Sequence, residues 1–244
     1  MVEDINLKVR NLSAAVLLEC QIPEKIITDL NNYLDQYRKR KDKKSHAHTL
    51  VGQIHQGEQL LMDHNDALLK DYYKFITTMG VTYLESFGNL TGRHFNNKIV
   101  DIDELWSVHS YEGDYNPIHD HGTKTITGIS TTTWTKVPKQ IGKNEDSYSL
   151  KNDSGACDGF LVFTYGRNDQ LMNAQRLRPP QSISIQPIVG RQLIFPSWMQ
   201  HMVYPFFGKG ERRTVAANLN VWDVEQQGEK NEWRTKKRNI KSKP

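Results

Sequence analysis

Residues 111–137 read YEGDYNPIHDHGTKTITGISTTTWTKV. From Thr125 onward Thr, Ile, Val and Trp crowd the segment, a composition that favours extended chain. Ahead of it, Asn116-Pro117 gives a rigid extended entry to a segment in which His119 and His121 stand two residues apart. The same period of two continues outward from here. LWSVHSY (105–111), GFLVFTYG (159–166), SISIQPI (182–188), RQLIF (191–195), HMVYPF (201–206) and TVAANLNVW (214–222) are short β-rich runs. Clusters of Gly, Pro, Asn and Asp break them, as in GKNEDSYSLKNDSGACDG (142–159). Many short strands at modest spacing mean a sandwich or barrel, and a jelly roll is the economical choice.

Before about Lys98 the period is helical. After Pro23, a good first-turn residue, Ile26, Ile27, Leu30, Tyr33, Leu34 and Tyr37 recur at helical spacing and predict a helix that fades into a basic run. A second amphipathic helix is expected from Leu68, Leu69, Tyr72, Phe75, Ile76, Met79 and Tyr83. The expected class is therefore α+β, mainly β. Residues 1–98 form a helical portion packed on a jelly-roll core at 99–225, with a basic tail at 226–244, all in one integrated domain. The histidines between His46 and Gly57 have no ligand spacing.

Composition narrows the class further. The chain has 244 residues, 37% hydrophobic and 25% charged, which fits a globular protein with a sizeable core. No apolar run reaches the ~20 residues of a membrane span, and MVEDINLKVR lacks the basic start and apolar stretch of a signal peptide. With only Cys20 and Cys157, no disulfide framework exists, so a reducing cytoplasm is expected, that of a bacterium or phage-infected host cell. The net charge of +4 is unevenly placed. RKRKDKK (38–44) carries +5 and RTKKRNIKSKP (234–244) carries +6, so the remainder carries −7. The two runs read as solvated appendages or as docking patches for an acidic partner or nucleic acid.

On a strand, alternate side chains share a face, so His119 and His121 present two imidazoles one way and Asp120 the other. His201 follows a strand and a Pro-Ser turn some eighty residues later and is the third candidate ligand. Two ligands on one strand and one on a distant strand is how a β-barrel holds non-haem iron. Arg212, Thr214, Ala216 and Asn218 share a strand face. A buried guanidinium beside a hydroxyl matches the far carboxylate of a dicarboxylic acid, while Arg213 would point outward unless the register slips by one. Tyr111 is a candidate pocket residue, so Arg212, Thr214, Tyr111 and Asn218 are the cosubstrate-binding set. His109 is expected to be supporting or structural, Trp106 and Trp198 core, and Asp101, Asp103 and Glu104 solvated. Cys157 lies in a polar loop with no His near it in sequence.

In order, the motifs are Gly113-Asp114, His119-x-His121, Thr127-Gly128-Ile129, Phe195-Pro196-Ser197-Trp198 with His201, and Arg212-x-Thr214 with Asn218. This ordered set resembles the 2-oxoglutarate- and iron(II)-dependent oxygenases, in their bacterial and phage branch, over roughly residues 100–222. The resemblance implies a double-stranded β-helix that binds Fe(II) and 2-oxoglutarate, with ascorbate as an accessory reductant. The cosubstrate's keto-acid end would chelate the metal and its distal carboxylate would meet Arg212 and Thr214. Oxidative decarboxylation to succinate would then be coupled to C–H hydroxylation of an unidentified protein, nucleic acid or small molecule. One departure is plain. The wider superfamily uses His-x-Asp/Glu, whereas this chain has His119-Asp120-His121, and Ile118 stands where Asp120 would need its partner histidine. Three neutral imidazoles leave the metal one charge more positive and also suit zinc. Two alternatives are a cupin-like metal-binding jelly roll without oxygenase activity and a nucleic-acid-associated protein using its basic segments.

Overall fold

The structure is a computed structural model, and it describes residues 8–12, 15–142, 157–165 and 182–223. The 234–244 tail and most of the 139–158 loop lie outside these residues.

In chain order the elements are β1 (Lys8–Leu12), β2 (Ala15–Gln21), α1 (Glu24–Tyr37), β3 (Lys44–Ser45), β4 (Glu58–Leu61), α2 (Lys70–Thr91) and β5 (Lys98–Ser110). There follow β6 (Asn116–His119), β7 (Ile129–Lys136), β8 (Leu161–Thr164), β9 (Ser182–Ile185), β10 (Arg191–Pro196), β11 (Gln200–Val203) and β12 (Arg212–Asp223). An eight-stranded sheet has the order β1-β2-β10-β7-β12-β5-β4-β3, and a four-stranded sheet the order β6-β11-β8-β9. Every pairing within these sheets is antiparallel. The two sheets face each other as a double-stranded β-helix, and helices cover the outer face of the larger one.

Side-chain alternation builds these three layers. On β12, Val215, Ala217, Leu219 and Val221 pack under the helices with α1 and α2 residues. Thr214, Ala216 and Asn218 turn the other way, toward the space between the sheets. β2 does the same: Val16, Leu18 and Cys20 meet the helices, while Ala15 and Leu17 join Trp134, Phe163, Leu193 and Phe195 between the sheets.

Both expected helices form. Pro23 stands at the start of α1, and Ile27, Leu30, Tyr33, Leu34 and Tyr37 are its buried stripe. α2 stops at Gly92, whose φ of 70° is the left-handed conformation that glycine enters without strain. Midway along α2, Gly80 lets the helix approach the sheet: a Cβ there would stand 2.8 Å from Val100 and 3.2 Å from Leu219.

A purely helical first half is not what forms, however. β1 to β4 all precede Lys98, and β2 is an interior strand paired with β10. Ala15–Cys20 is buried on both faces, so its apolar residues run together at Ala15–Leu18 and the strand lacks the alternation that marks a half-exposed one. Two other expectations are also corrected. Trp198 is 58% exposed and is not core. Asp101 and Asp103 are buried, not solvated: the Trp222 indole donates to Asp101, and Lys124 pairs with Asp103. In the 38–44 run, Lys39, Lys41 and Lys44 are exposed, as a solvated face would be. Arg38 and Lys43 both pair with Glu58, and Arg40 pairs with Asp42.

Candidate metal centre and cosubstrate pocket

His119 and His201 are direct cross-strand partners on β6 and β11. His121, two residues past His119, extends toward the large sheet. Together the three offer ligand nitrogens that all lie within 4.8 Å of one another. Their ring centroids are 4.3 Å apart for His119 and His201, 4.8 Å for His121 and His201, and 5.2 Å for His119 and His121. Among the described residues no carboxylate joins them, and Asp120 is exposed.

The hydrogen bonds around the rings decide what they can do. The Nδ1 of His119 lies 2.7 Å from the carbonyl oxygen of Pro117, and that of His201 lies 2.9 Å from the carbonyl oxygen of Met199. Nδ1 of His121 lies 2.9 Å from Asn218 Oδ1. Ser130 Oγ is 3.1 Å from the same nitrogen and donates to that Asn218 oxygen at 2.9 Å. Each ring therefore donates from Nδ1 to an oxygen acceptor, which leaves the Nε2 lone pair free. Burial depresses the pKa of all three rings, that of His121 to about 4 and that of His201 well below its ordinary value. Mutual repulsion adds to this for His121 and His201. Three neutral imidazoles with free lone pairs suit a divalent cation.

The Phe-Pro-Ser stretch fixes this geometry. The His121 N–H donates to the Ser197 carbonyl at 2.8 Å, and the Ser197 N–H donates to the Gly128 carbonyl at 3.0 Å. The loop after the His-x-His pair is thus pinned at both ends to the end of β10. Phe195, one residue earlier on β10, packs its ring 5.0 Å from that of His201 and 4.8 Å from that of Phe163.

The histidines share a cavity of about 220 Å³ with Arg212, Thr214, Trp106 and Asn218. Arg212 is buried, and its Nε has no hydrogen-bond partner among the described residues. Its guanidinium carbon stands 6.0 Å from the Trp134 ring centroid, and desolvation lowers its pKa to about 10. A buried unpaired guanidinium is costly, so its place on a cavity wall marks an anion site. Thr214 stands two residues along the same face.

Arg213 points away from the cavity, as the parity required, but it is not exposed. Helix α1 covers it, and it pairs with Asp35 at 2.6 Å and with Glu211 at 2.8 Å. Glu211 in turn holds the buried His109 at 2.6 Å. Tyr111 lies on that side too and does not line the cavity. Its hydroxyl accepts a hydrogen bond from Arg38 at 3.3 Å. β5 shows the reason: Trp106 and Val108 face the cavity, so the odd-numbered side chains from Leu105 to Tyr111 face the helices. Asn218 is brought to the site, but its oxygen is occupied by His121 and Ser130. Gly113-Asp114 acts on the backbone: the Asp114 carboxylate accepts from the N–H groups of His55 and Tyr111. The residues that sequence reasoning missed are Ser130, Trp106 and Glu104, all on the inner parity of their strands.

Fold and site together define a jelly-roll protein in which three clustered histidines share a cavity with a buried arginine. Residues 104–218 match the family described as "Putative 2OG-Fe(II) oxygenase". That span holds all three histidines, Arg212 and Thr214. Over that span, just under half of the chain, the match is to oxidoreductases of the class that uses Fe(II) and 2-oxoglutarate. No curated protein matches it by sequence. Among solved structures it is similar to a prolyl-4-hydroxylase from Pseudomonas putida, with 12% identity, a TM-score of 0.51, and coverage of 82% of this chain and 90% of that one. It is also similar to a prolyl hydroxylase from Trichoplax adhaerens in complex with a peptide fragment, at 14% identity and a TM-score of 0.51, covering 91% and 86%. A third is a non-heme alpha-ketoglutarate-dependent epimerase from nogalamycin biosynthesis, at 9% identity and a TM-score of 0.50, covering 83% and 77%. At these identities the likeness is one of fold. No helix among the described residues is long and apolar enough to cross a membrane.

Proposed function

We infer that the chain is a dioxygenase that couples oxidative decarboxylation of 2-oxoglutarate to hydroxylation of a C–H bond. One observation carries this reading: three histidines with free Nε2 atoms share one cavity with a buried guanidinium whose Nε has no hydrogen-bond partner among the described residues. His119, His121 and His201 would hold Fe(II), which when bound supplies the oxygen-activating redox chemistry. The Pro117 and Met199 carbonyls and Asn218 fix the ring orientations. Arg212 and Thr214 would take the distal carboxylate of 2-oxoglutarate, replacing water around the guanidinium with charge-assisted hydrogen bonds. Phe195, Leu161 and Val203 keep that part of the cavity apolar. Helices and sheets contribute to one core, in support of a single integrated catalytic unit.

The test is anaerobic titration of the purified protein with Fe(II) and 2-oxoglutarate, followed by succinate release in air with ascorbate present. The iron–keto-acid absorption should appear, His201→Ala should abolish it, and Arg212→Ala should sharply raise the 2-oxoglutarate concentration needed. Tight zinc binding with no 2-oxoglutarate complex would instead support a metal-binding jelly roll of another class.

A further inference from the structure

The histidine cluster is neutral to a second layer. His119, His121 and His201 offer uncharged imidazoles, and no carboxylate among the described residues joins them. The oxygens that accept from their Nδ1 atoms belong to the Pro117 and Met199 carbonyls and the Asn218 amide, which are neutral as well. A carboxylate in any of those places would offset part of a bound metal's charge. The acids that line the cavity are Glu104 and Asp120. Asp120 is exposed, and the Glu104 side chain is 43% exposed with His46 at 3.8 Å, so water screens both. Arg212, by contrast, is buried and has no carboxylate partner among the described residues.

These residues leave a charge over when the site fills. A divalent cation brings two positive charges and the 2-oxoglutarate dianion cancels both, so the Arg212 charge stays uncompensated inside the cavity. Three neutral ligands leave the metal at its full charge, and an excess charge held away from water is costly. Among the described residues no lysine and no second arginine lines the cavity. An incoming anion would therefore find its partner at the metal, where three protein nitrogens keep positions open for further ligands.

We propose that the filled centre takes one component more, a monoanion bound at the metal, and that the three-histidine ligand set beside Arg212 is what selects it. The anion is a carboxylate carried by the substrate or a small free ion such as a halide. Either one supplies the negative charge that His121 does not. The proposal rests on the oxygenase reading for the identity of the dianion, whereas the excess of positive charge comes from the histidines and Arg212 themselves.

The experiment uses the full-length protein loaded with Co(II) and 2-oxoglutarate under argon, so that no reaction occurs and the visible absorption of the metal reports its ligands. Azide, chloride and valerate are titrated, with neutral valeramide as the control. The anions should shift the spectrum saturably, and valeramide should not. Tighter binding of valerate than of chloride identifies a substrate-borne carboxylate, and the reverse order a free ion. His121→Asp puts one negative charge on the metal and should weaken the anions by about tenfold or more. His119→Asp makes the same change of charge on the neighbouring ligand and should act alike. Arg212→Met, compared without 2-oxoglutarate, keeps all three ligands, removes the other positive charge and should weaken the anions severalfold. A spectrum of the unaltered protein that no anion shifts, or anion affinities equal in the unaltered protein and the variants, would overturn the proposal. Binding of 2-oxoglutarate is measured first. If it does not bind, the oxygenase reading fails by itself, and the Co(II) protein, with its larger excess of charge, is titrated alone.

Discussion

Arg212 and Arg213 are sequence neighbours, yet their replacement should move stability in opposite directions. Burial lowers the pKa of Arg212 to about 10, and no carboxylate among the described residues offsets this. At 1.36 kcal/mol per pKa unit, the charged side chain carries a desolvation cost of about 3 kcal/mol at neutral pH. Arg212→Met keeps an unbranched stem against Trp134 and removes the charge. The metal- and ligand-free variant should gain on the order of 1–3 kcal/mol after losses in packing. For a chain of this size each kcal/mol raises Tm by roughly 2–4 °C. Arg213→Met removes the partner of Glu211 and Asp35 and leaves Glu211 half-enclosed with its charge, at a cost of about 3–5 kcal/mol. Function should divide the other way. Unaltered protein with zinc should gain about 2.7 kcal/mol from 2-oxoglutarate at a hundred times its Kd. Arg213→Met should keep that gain, and Arg212→Met should lose it. Urea unfolding of both variants, with and without 2-oxoglutarate, reads all four quantities. Equal destabilisation by the two substitutions, or loss of the ligand effect in Arg213→Met alone, would refute the assignment of the anchor and of the strand parity behind it.

Three further outcomes follow from the geometry. Asn218→Leu removes the acceptor that fixes His121 and should weaken Zn(II) binding by roughly 10- to 100-fold in competition with a chelating dye. Ser130→Ala should cost less, because Asn218 retains its bond to the ring. In the metal-free protein, the three histidines are neutral when folded, with His121 protonated only near pH 4. The unfolded chain takes up those protons first, so stability present above about pH 6.5 should be lost as pH falls from there toward 4; flat urea midpoints across that window would contradict it. Gly80→Ala should gain up to ~1 kcal/mol of helix propensity but lose about 1–3 kcal/mol to crowding against Val100 and Leu219, so Tm should fall.

Where the two faces of an element differ in polarity, the pattern could be read from the sequence. α1 and α2 show their stripes, and β12 gives the common face of Arg212, Thr214 and Asn218. The His-x-His pair and His201 were legible because metal ligation demands those residue types at strand spacing. What stayed hidden depends on partners distant in sequence. β2 is enclosed on both faces, so its apolar run carries no period to distinguish strand from helix. The burial of Arg213 depends on α1 crossing above it, and a local pattern cannot express that. The acceptors for His119 and His201 are backbone carbonyls, which any residue supplies. Tyr111 was misplaced for a simpler reason: the face of β5 is set by Trp106 and Val108, and their parity alone would have turned Tyr111 toward the helices.

The pairing of β2 with β10 also has a consequence for how the chain folds. Cys20 and Gln192 lie side by side yet are 172 residues apart in sequence. Contacts of such long range are slow to form, because the loop must close before any contact is made. During synthesis, AVLLECQ emerges early and waits for its second neighbour until most of the protein has been made. β1 alone can pair with it in that interval. His201 and Arg212 are made later still, so the centre is assembled only in the last stage of folding. An excised 99–225 segment would leave the β10 edge bare and the helix-facing side of the sheet uncovered. Such a fragment is expected to aggregate before it can bind metal.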